Sequence, residues 1–277
     1  GVYWNKDKTA VSFSQKKHIE KIAAKFGITN AKPKYIPMSA EKELKRGQPI
    51  DTTLPYLNLL GSLMWIARCT RPDIQFAVNF LAQYSHCYTI EHYTALKQVA
   101  KYLNTTKDLK FYLYRSNVTF DNVVEIEQWT DSDWATDKND RKSITGHISF
   151  ILGSPVSWGS HKQKSVAHSS TEGELMAGVA TAKEGCYLAN VIGSIFKVRK
   201  PIIIKIDNQG AKFLCENEST SSRAKHIDIK CWALRDWIKE GTFKLSYVPT
   251  DTNIADMMTK PLGQIKLDAF RYAAHVR

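Results

Sequence analysis

From Ile202 to Ile206 every residue but Lys205 is β-branched, and Asp207 follows at once. A run this short and apolar predicts a central strand buried on both faces, which requires a sheet covered by helices. Val124 to Thr130 reads as a second strand and also runs directly into an acid, Asp131. Gly146 to Leu152 and Val156 to Ser160 are two more, joined through a turn containing Gly153 and Pro155. Helices are expected from Thr171 to about Ile195, over Gln209 to Glu216 and over Ile227 to Lys239. A strand over Phe243 to Val248 and a last helical segment near Ile254 complete the pattern. This is an α/β fold, a mixed sheet flanked by helices.

The upstream part is organised differently. Gly1 to Trp4 and Val11 to Ser14 read as short strands, and Gln15 to Phe26 as a basic helix closed by Gly27. Lys32 to Thr53, with Pro33, Pro37 and Pro49, has no clear periodicity and reads as a surface connector. Helices are expected over Tyr56 to Arg68, Asp73 to Tyr84 and Glu91 to Leu103, and a strand over Leu109 to Tyr114. The polar stretch Ser116 to Asn122 marks the boundary, giving a smaller, mostly helical module over 1–120 and an α/β domain over 121–277.

Charge separates the two parts. Residues 1–124 carry 18 Lys or Arg against 9 Asp or Glu, a net of +9, whereas 125–277 carry 21 against 18, a net of +3. A polyanion is the natural partner of the basic part, because neutralising phosphates releases their counterions. Cys69, Cys87, Cys186, Cys215 and Cys231 are odd in number and widely spaced, which supports neither a disulfide framework nor a zinc knuckle. The apolar runs are too short to cross a membrane, and no signal peptide is recognisable, so an intracellular, reducing compartment is expected. The chain opens on Gly1 rather than Met, which suggests a fragment or a processed product.

Four acids carry the chemical expectation. Asp131 and Asp207 follow predicted strands, and parallel neighbours would bring both to one sheet edge. Glu174 lies in the first turn of the long helix, where Thr171-x-x-Glu174 has the form of a capping box, and Asp256 opens the last helical segment. Each has an ordinary structural reading: strand ends for the two strand aspartates, capping for Glu174, and dipole complementarity for Asp256. If the four meet, their repulsion calls for a hard divalent cation. Oxygen donors suit Mg2+, with Mn2+ as a substitute, and two ions about 4 Å apart can activate water and stabilise a leaving oxygen. Metal-assisted phosphodiester hydrolysis follows as the reaction class.

Trp129-Thr130-Asp131-Ser132-Asp133-Trp134-Ala135 resembles the opening strand of the ribonuclease H domain in copia-type retrotransposon Pol polyproteins. Ser169-Ser170-Thr171-Glu172-Gly173-Glu174 and Ile206-Asp207-Asn208-Gln209-Gly210-Ala211 are similar to that family's second and third motifs. Lys225-His226-Ile227-Asp228, Tyr247-Val248-Pro249-Thr250 and the run Ile254 to Leu262 resemble its ending. Glu174-Leu175-Met176-Ala177 is also similar to the helix bearing the catalytic glutamate of cellular ribonuclease H, which selects Glu174 over Glu172.

The resemblance implies a ribonuclease H-like fold that cleaves the RNA strand of an RNA/DNA hybrid. Asp131 would bridge both metals, Glu174 and Asp207 would hold the ion on the leaving-group side, and Asp256 would complete the ion that delivers water. Asp133 shares a face with Asp131 and either tunes the site or faces solvent. Where related proteins carry a histidine in the loop before the last acid, this chain has Thr250, Asp251 and Thr252. His226 is an auxiliary candidate, with a local structural role as its alternative; His161 and His168 are assigned to exposed or hairpin positions.

Upstream, Ser14-Gln15-Lys16-Lys17, Lys25-Phe26-Gly27, Leu60-Gly61-Ser62-Leu63 and Thr70-Arg71-Pro72-Asp73-Ile74 resemble the thumb and connection regions of a copia-type reverse transcriptase. No two aspartates are adjacent, so a polymerase Tyr-x-Asp-Asp element is absent. Phosphate contacts are expected from Lys16, Lys17, Lys21, Lys25, Arg68 and Arg71 in the first module and from Lys162, Lys164 and Arg223 in the second; solvated surface charge is the alternative for each. Trp134 and Trp158 are expected in the core, with nucleic-acid contact as the alternative. The implied partners are the hybrid and the palm, fingers and integrase regions of the same polyprotein; a homodimer is a further candidate assembly, and no membrane is expected. The implied location is a cytoplasmic retroelement particle, with the nucleus as a second site. The competing function is a non-catalytic or domesticated nucleic-acid-binding or scaffolding module of the same fold, and a third is a nuclease for structured DNA.

Overall fold

A computed structural model describes residues 1–39, 44–46, 49–115, 123–134, 140–217 and 225–277, with the backbone alone over 225–231. The expected boundary stretch Ser116 to Asn122 and the expected contact Arg223 lie outside these residues. Two compact units are present: Gly1–Arg115 together with Lys260–Arg277, and Ser116–Thr259. The expected second domain ran to residue 277, but the last 18 residues pack with the first unit. They form a helix not anticipated from the sequence, Gln264–Ala273, which buries Leu267 and Phe270. No helix among the described residues is long and apolar enough to cross a membrane.

In the first unit β1 (Val2–Trp4), β2 (Ala10–Phe13) and β3 (Phe111–Tyr114) form an antiparallel sheet. Helix α1 (Lys16–Lys25) buries Ile19, Ile22 and Ala23. It ends because Gly27 takes φ +64°, a region open to glycine without a Cβ clash. The Gly27 and Ile28 N–H groups then reach back to the carbonyls of Ala24 at 3.3 Å and Ala23 at 2.9 Å, which satisfies the last turn. Helices α2 (Tyr56–Cys69), α3 (Gln75–Ala82) and α4 (Ile90–Thr105) supply a large part of this unit's core.

The second unit is built on a five-stranded sheet. Its strands are β5 (Ile126–Asp133), β6 (Ile144–Ile151), β7 (Ser154–Lys162), β9 (Ile202–Ile206) and β10 (Phe243–Tyr247), in the spatial order β10-β9-β5-β6-β7. The pairs β10–β9 and β9–β5 are parallel, and β5–β6 and β6–β7 are antiparallel. Two short strands, β4 (Val123–Val124) and β8 (Lys197–Val198), pair separately. Helix α5 (Ser170–Gly193) covers one face: the Gln128 amide donates to the Thr181 carbonyl at 2.9 Å, and the Thr181 hydroxyl to Thr130 Oγ1 at 2.9 Å. Together with α6 (Gln209–Glu216) and α7 (Lys225–Lys239) it completes the helix-flanked mixed sheet that the sequence implied.

Strand β9 corrects one expectation. Ile202, Ile204 and Ile206 are buried, but Ile203 and Lys205 on the other face are only partly so. The Lys205 ammonium lies 4.2 Å from the Trp129 ring centroid and 2.9 Å from Glu127 Oε2, so the alternate face is amphipathic.

His147, on the α5 side of β6, is 7% exposed and stacks on His161 with ring centroids 6.0 Å apart. Burial pushes its pKa down to about 4, against a smaller upward pull from Glu184. A histidine with a depressed folded pKa contributes stability above its ordinary value of 6.5, and that contribution is lost as pH falls toward about 4. At about 1.4 kcal/mol per pKa unit the loss is on the order of 3 kcal/mol. Urea melts at pH 7 and pH 4.5 should therefore show a smaller acid loss for His147→Leu than for the wild type; equal losses would refute this role.

Candidate metal centre

Asp131 was expected just after a strand, but it lies within β5, which continues to Asp133 because β6 pairs with it throughout. On the other side the parallel register with β9 matches Trp129 with Lys205. Continued by two residues, that register sets Asp131 opposite Asp207, the first residue after β9. Asp256 arrives from a third direction, in the 3₁₀ helix Ile254–Met258 packed on the face away from α5. Asn253 caps this turn, its Oδ1 accepting the Ala255 N–H at 3.2 Å.

One carboxylate oxygen each from Asp131, Asp207 and Asp256 lies within 4.8 Å of the others. Asp131 and Asp256 are buried and Asp207 is partly exposed, so the cluster opens at the Asp207 side. Three hard oxygen donors at this spacing suit a divalent cation of the magnesium class, whose charge would offset their mutual repulsion. The donor set therefore fits the ion that the sequence implied.

Glu174 stands beside this trio rather than within it. It is buried, and its Oε1 accepts the Ser132 N–H at 3.1 Å, one residue beyond Asp131. The expected Thr171–Glu174 capping box does not form. The N-cap is Ser169, whose Oγ accepts the Glu172 N–H at 3.1 Å, while Glu172 Oε2 accepts the His168 N–H at 2.8 Å. With capping assigned to Glu172, the Glu174 carboxylate is directed at the end of β5 instead.

Several supporting residues had no catalytic signal in the sequence. The Gln163 side-chain amide donates within reach of Thr145 Oγ1 at 3.0 Å, the Gly173 carbonyl at 3.0 Å and Ser132 Oγ at 3.3 Å. It thereby ties β5, β6 and the start of α5 together beneath Glu174. Asp133 is partly buried on the Asp131 face and is not one of the three clustered acids. His226 falls in α7, but its side chain lies outside the described residues; His161 and His168 are exposed. Thr250, Asp251 and Thr252 form a 3₁₀ turn ahead of Asp256.

Of the expected phosphate contacts, Lys16, Lys17, Lys21, Lys25, Arg68 and Lys164 are exposed. Lys16 pairs with Asp108 at 2.6 Å, and Lys162, partly buried, with Asp140 at 2.7 Å. Arg71 is a correction: only 2% exposed, it forms a buried ion pair with Asp73 and does not face a ligand. The tryptophans are a second correction. Trp134 is 47% exposed at the end of β5, with its Nε1–H donating to the Ala167 carbonyl at 3.1 Å, and Trp158 on the edge strand β7 is half-buried.

No family model matches the chain. The retrovirus-related Pol polyprotein from transposon RE1 of Arabidopsis thaliana is 34% identical over 265 residues, which cover 95% of this chain and 18% of that polyprotein. The corresponding polyprotein from transposon TNT 1-94 of Nicotiana tabacum is 32% identical over 264 residues, covering 92% and 19%. The chain is a copia-type retrotransposon Pol-related protein. The chain spans about a fifth of the length of the polyproteins it matches. A solved structure of LC11-RNase H1 aligns over 52% of this chain and 96% of its own, at 13% identity and a TM-score of 0.38.

Proposed function

We propose that the second unit hydrolyses the RNA strand of RNA/DNA hybrids during retroelement reverse transcription. The observation that carries this reading is the meeting of Asp131, Asp207 and Asp256, from two parallel strands and a packed 3₁₀ turn, within 4.8 Å. In this reading Asp131, Asp207 and Asp256, with Glu174 beside them, would hold two Mg2+ ions, Asp207 and Glu174 serving the leaving group and Asp256 the attacking water. Bound there, such ions supply an activated water and stabilise the leaving oxygen of the phosphodiester. The exposed Lys17, Lys21, Lys25, Arg68 and Lys164 bind backbone phosphates electrostatically, and the 2′-hydroxyl selects the RNA strand. The palm and fingers, and the integrase, of the same polyprotein are the proposed physiological neighbours, inside a retroelement particle.

The test compares labelled RNA/DNA hybrid, duplex RNA and duplex DNA in Mg2+, with and without a chelator. Cleavage confined to the RNA of the hybrid and abolished by the chelator is expected. Equal cleavage of all three, chelator-resistant cleavage, or hybrid binding with no cleavage in either Mg2+ or Mn2+ would overturn the reading.

A further inference from the structure

The turn that carries Asp256 is tied to β5 by two buried side chains, one on either side of the acid. Asn253, three residues before it, donates from Nδ2 to the Thr130 carbonyl at 3.0 Å. Thr259, three residues after it, donates its hydroxyl to Asp131 Oδ2. The same Thr259 oxygen lies 3.1 Å from the Asp256 carbonyl, so one proton faces two acceptors. The charged carboxylate is the stronger acceptor and takes it.

The backbone of β6 makes this approach feasible. Gly146 is the β6 partner of Asp131, and a Cβ there would come within 2.6 Å of Thr259 Cγ2 and 2.7 Å of Met258 Cβ. Without a side chain at that position, the turn lies directly on the sheet and Thr259 reaches the Asp131 carboxylate.

An aspartate carboxylate beside two others is driven by like-charge repulsion to rotate away from them. A lysine or arginine donor would hold it, but would also compete with the cation for its charge. A neutral hydroxyl donor holds the carboxylate without that competition. We infer that Thr259 is a positioning residue of the metal centre, whose hydroxyl keeps Asp131 turned toward Asp207 and Asp256 before a cation arrives. The inference rests on the metal-dependent reading above and adds to it a residue that binds neither cation nor substrate. Outer hydrogen bonds of this kind alter metal affinity by about 10- to 100-fold when removed.

The experiment titrates Mn2+ alone into the full chain and follows the free ion by electron paramagnetic resonance, for the wild type, Thr259→Val, Thr259→Ser and Asp131→Asn. Valine keeps the shape over Gly146 and removes the donor; serine restores the donor. The Val variant should bind Mn2+ about tenfold or more weakly and the Ser variant within about threefold of wild type. In hybrid cleavage, the Val variant should need more Mn2+ for half-maximal rate while its rate at saturating Mn2+ changes little. Wild-type affinity in the Val variant, or a Ser variant as weak as the Val variant, would overturn the role of the hydroxyl. Thermal melts report whether the Val variant folds; if it does not, Thr259→Ala against Thr259→Ser makes the same comparison. A wild type that binds no Mn2+ sinks the metal-dependent reading and this inference with it, whereas wild-type binding unchanged by Val sinks this inference alone.

Discussion

An Asp207→Asn chain is expected to lose hybrid cleavage by at least about 10³-fold, the equivalent of about 4 kcal/mol of transition-state stabilisation by a bound metal. The same variant should fold as well as the wild type without metal, or better. Asp207 stands among three carboxylates within 4.8 Å, and neutralising one removes repulsion from the empty site. Cations reverse the order: a ligand held only by the native state at about 100 times its Kd adds about 2.7 kcal/mol. Melts with increasing Mg2+ should therefore raise the wild type and leave the variant nearly unmoved. A variant that cleaves within about tenfold of wild type, or that melts lower than wild type in chelator, would remove Asp207 from the metal centre. The second outcome would make it a structural acid.

Most of the second unit was legible because its apolar pattern switches cleanly between strand and helix. Asp207 followed directly from the β-branched run before it. Asp131 was harder, because β5 has two different neighbours: β9 stops pairing near Trp129 while β6 continues to Asp133. That asymmetry belongs to the assembled sheet and leaves no mark on the local sequence. At the start of α5 the capping pair reads as Thr171 with Glu174, but packing against β5 sets the cap two residues earlier, at Ser169 with Glu172, and leaves Glu174 for Ser132. Thr259 could be quoted as part of a motif but not given a task, since its partner is 128 residues away. Arg71 was misread for the same reason. A basic residue in a basic module reads as surface charge until its acceptors are seen.

Those acceptors make Arg71 the residue whose loss should destabilise the first unit most. Its Nε donates to Asp73 Oδ1 at 2.9 Å and its Nη2 to Asp73 Oδ2 at 2.7 Å. Its Nη1 reaches the Thr106 carbonyl at 3.2 Å. The Tyr102 hydroxyl donates to Asp73 Oδ2 at 2.7 Å and receives Arg271 Nη1 at 3.0 Å. Removing one partner of such a pair strands a buried charge, so Arg71→Ala should cost about 3–5 kcal/mol at pH 7. Burial pulls the Asp73 pKa upward, but the Arg71 charge and the hydrogen bonds from Arg71 and Tyr102 outweigh it and hold it below its ordinary 3.8. A carboxylate with a depressed folded pKa contributes stability above that ordinary value and loses it as pH falls through the folded one. In the alanine variant the burial effect is no longer opposed by Arg71, so Asp73 protonates more readily and the penalty should shrink as pH falls toward 4. Replacing both partners, Arg71→Met with Asp73→Leu, removes the stranded charge and should recover most of the loss. Urea melts of the three chains at pH 7 and pH 4 separate these effects. A single-variant loss under about 1 kcal/mol, or a double variant no better than the single, would show that the pair does not hold this unit together.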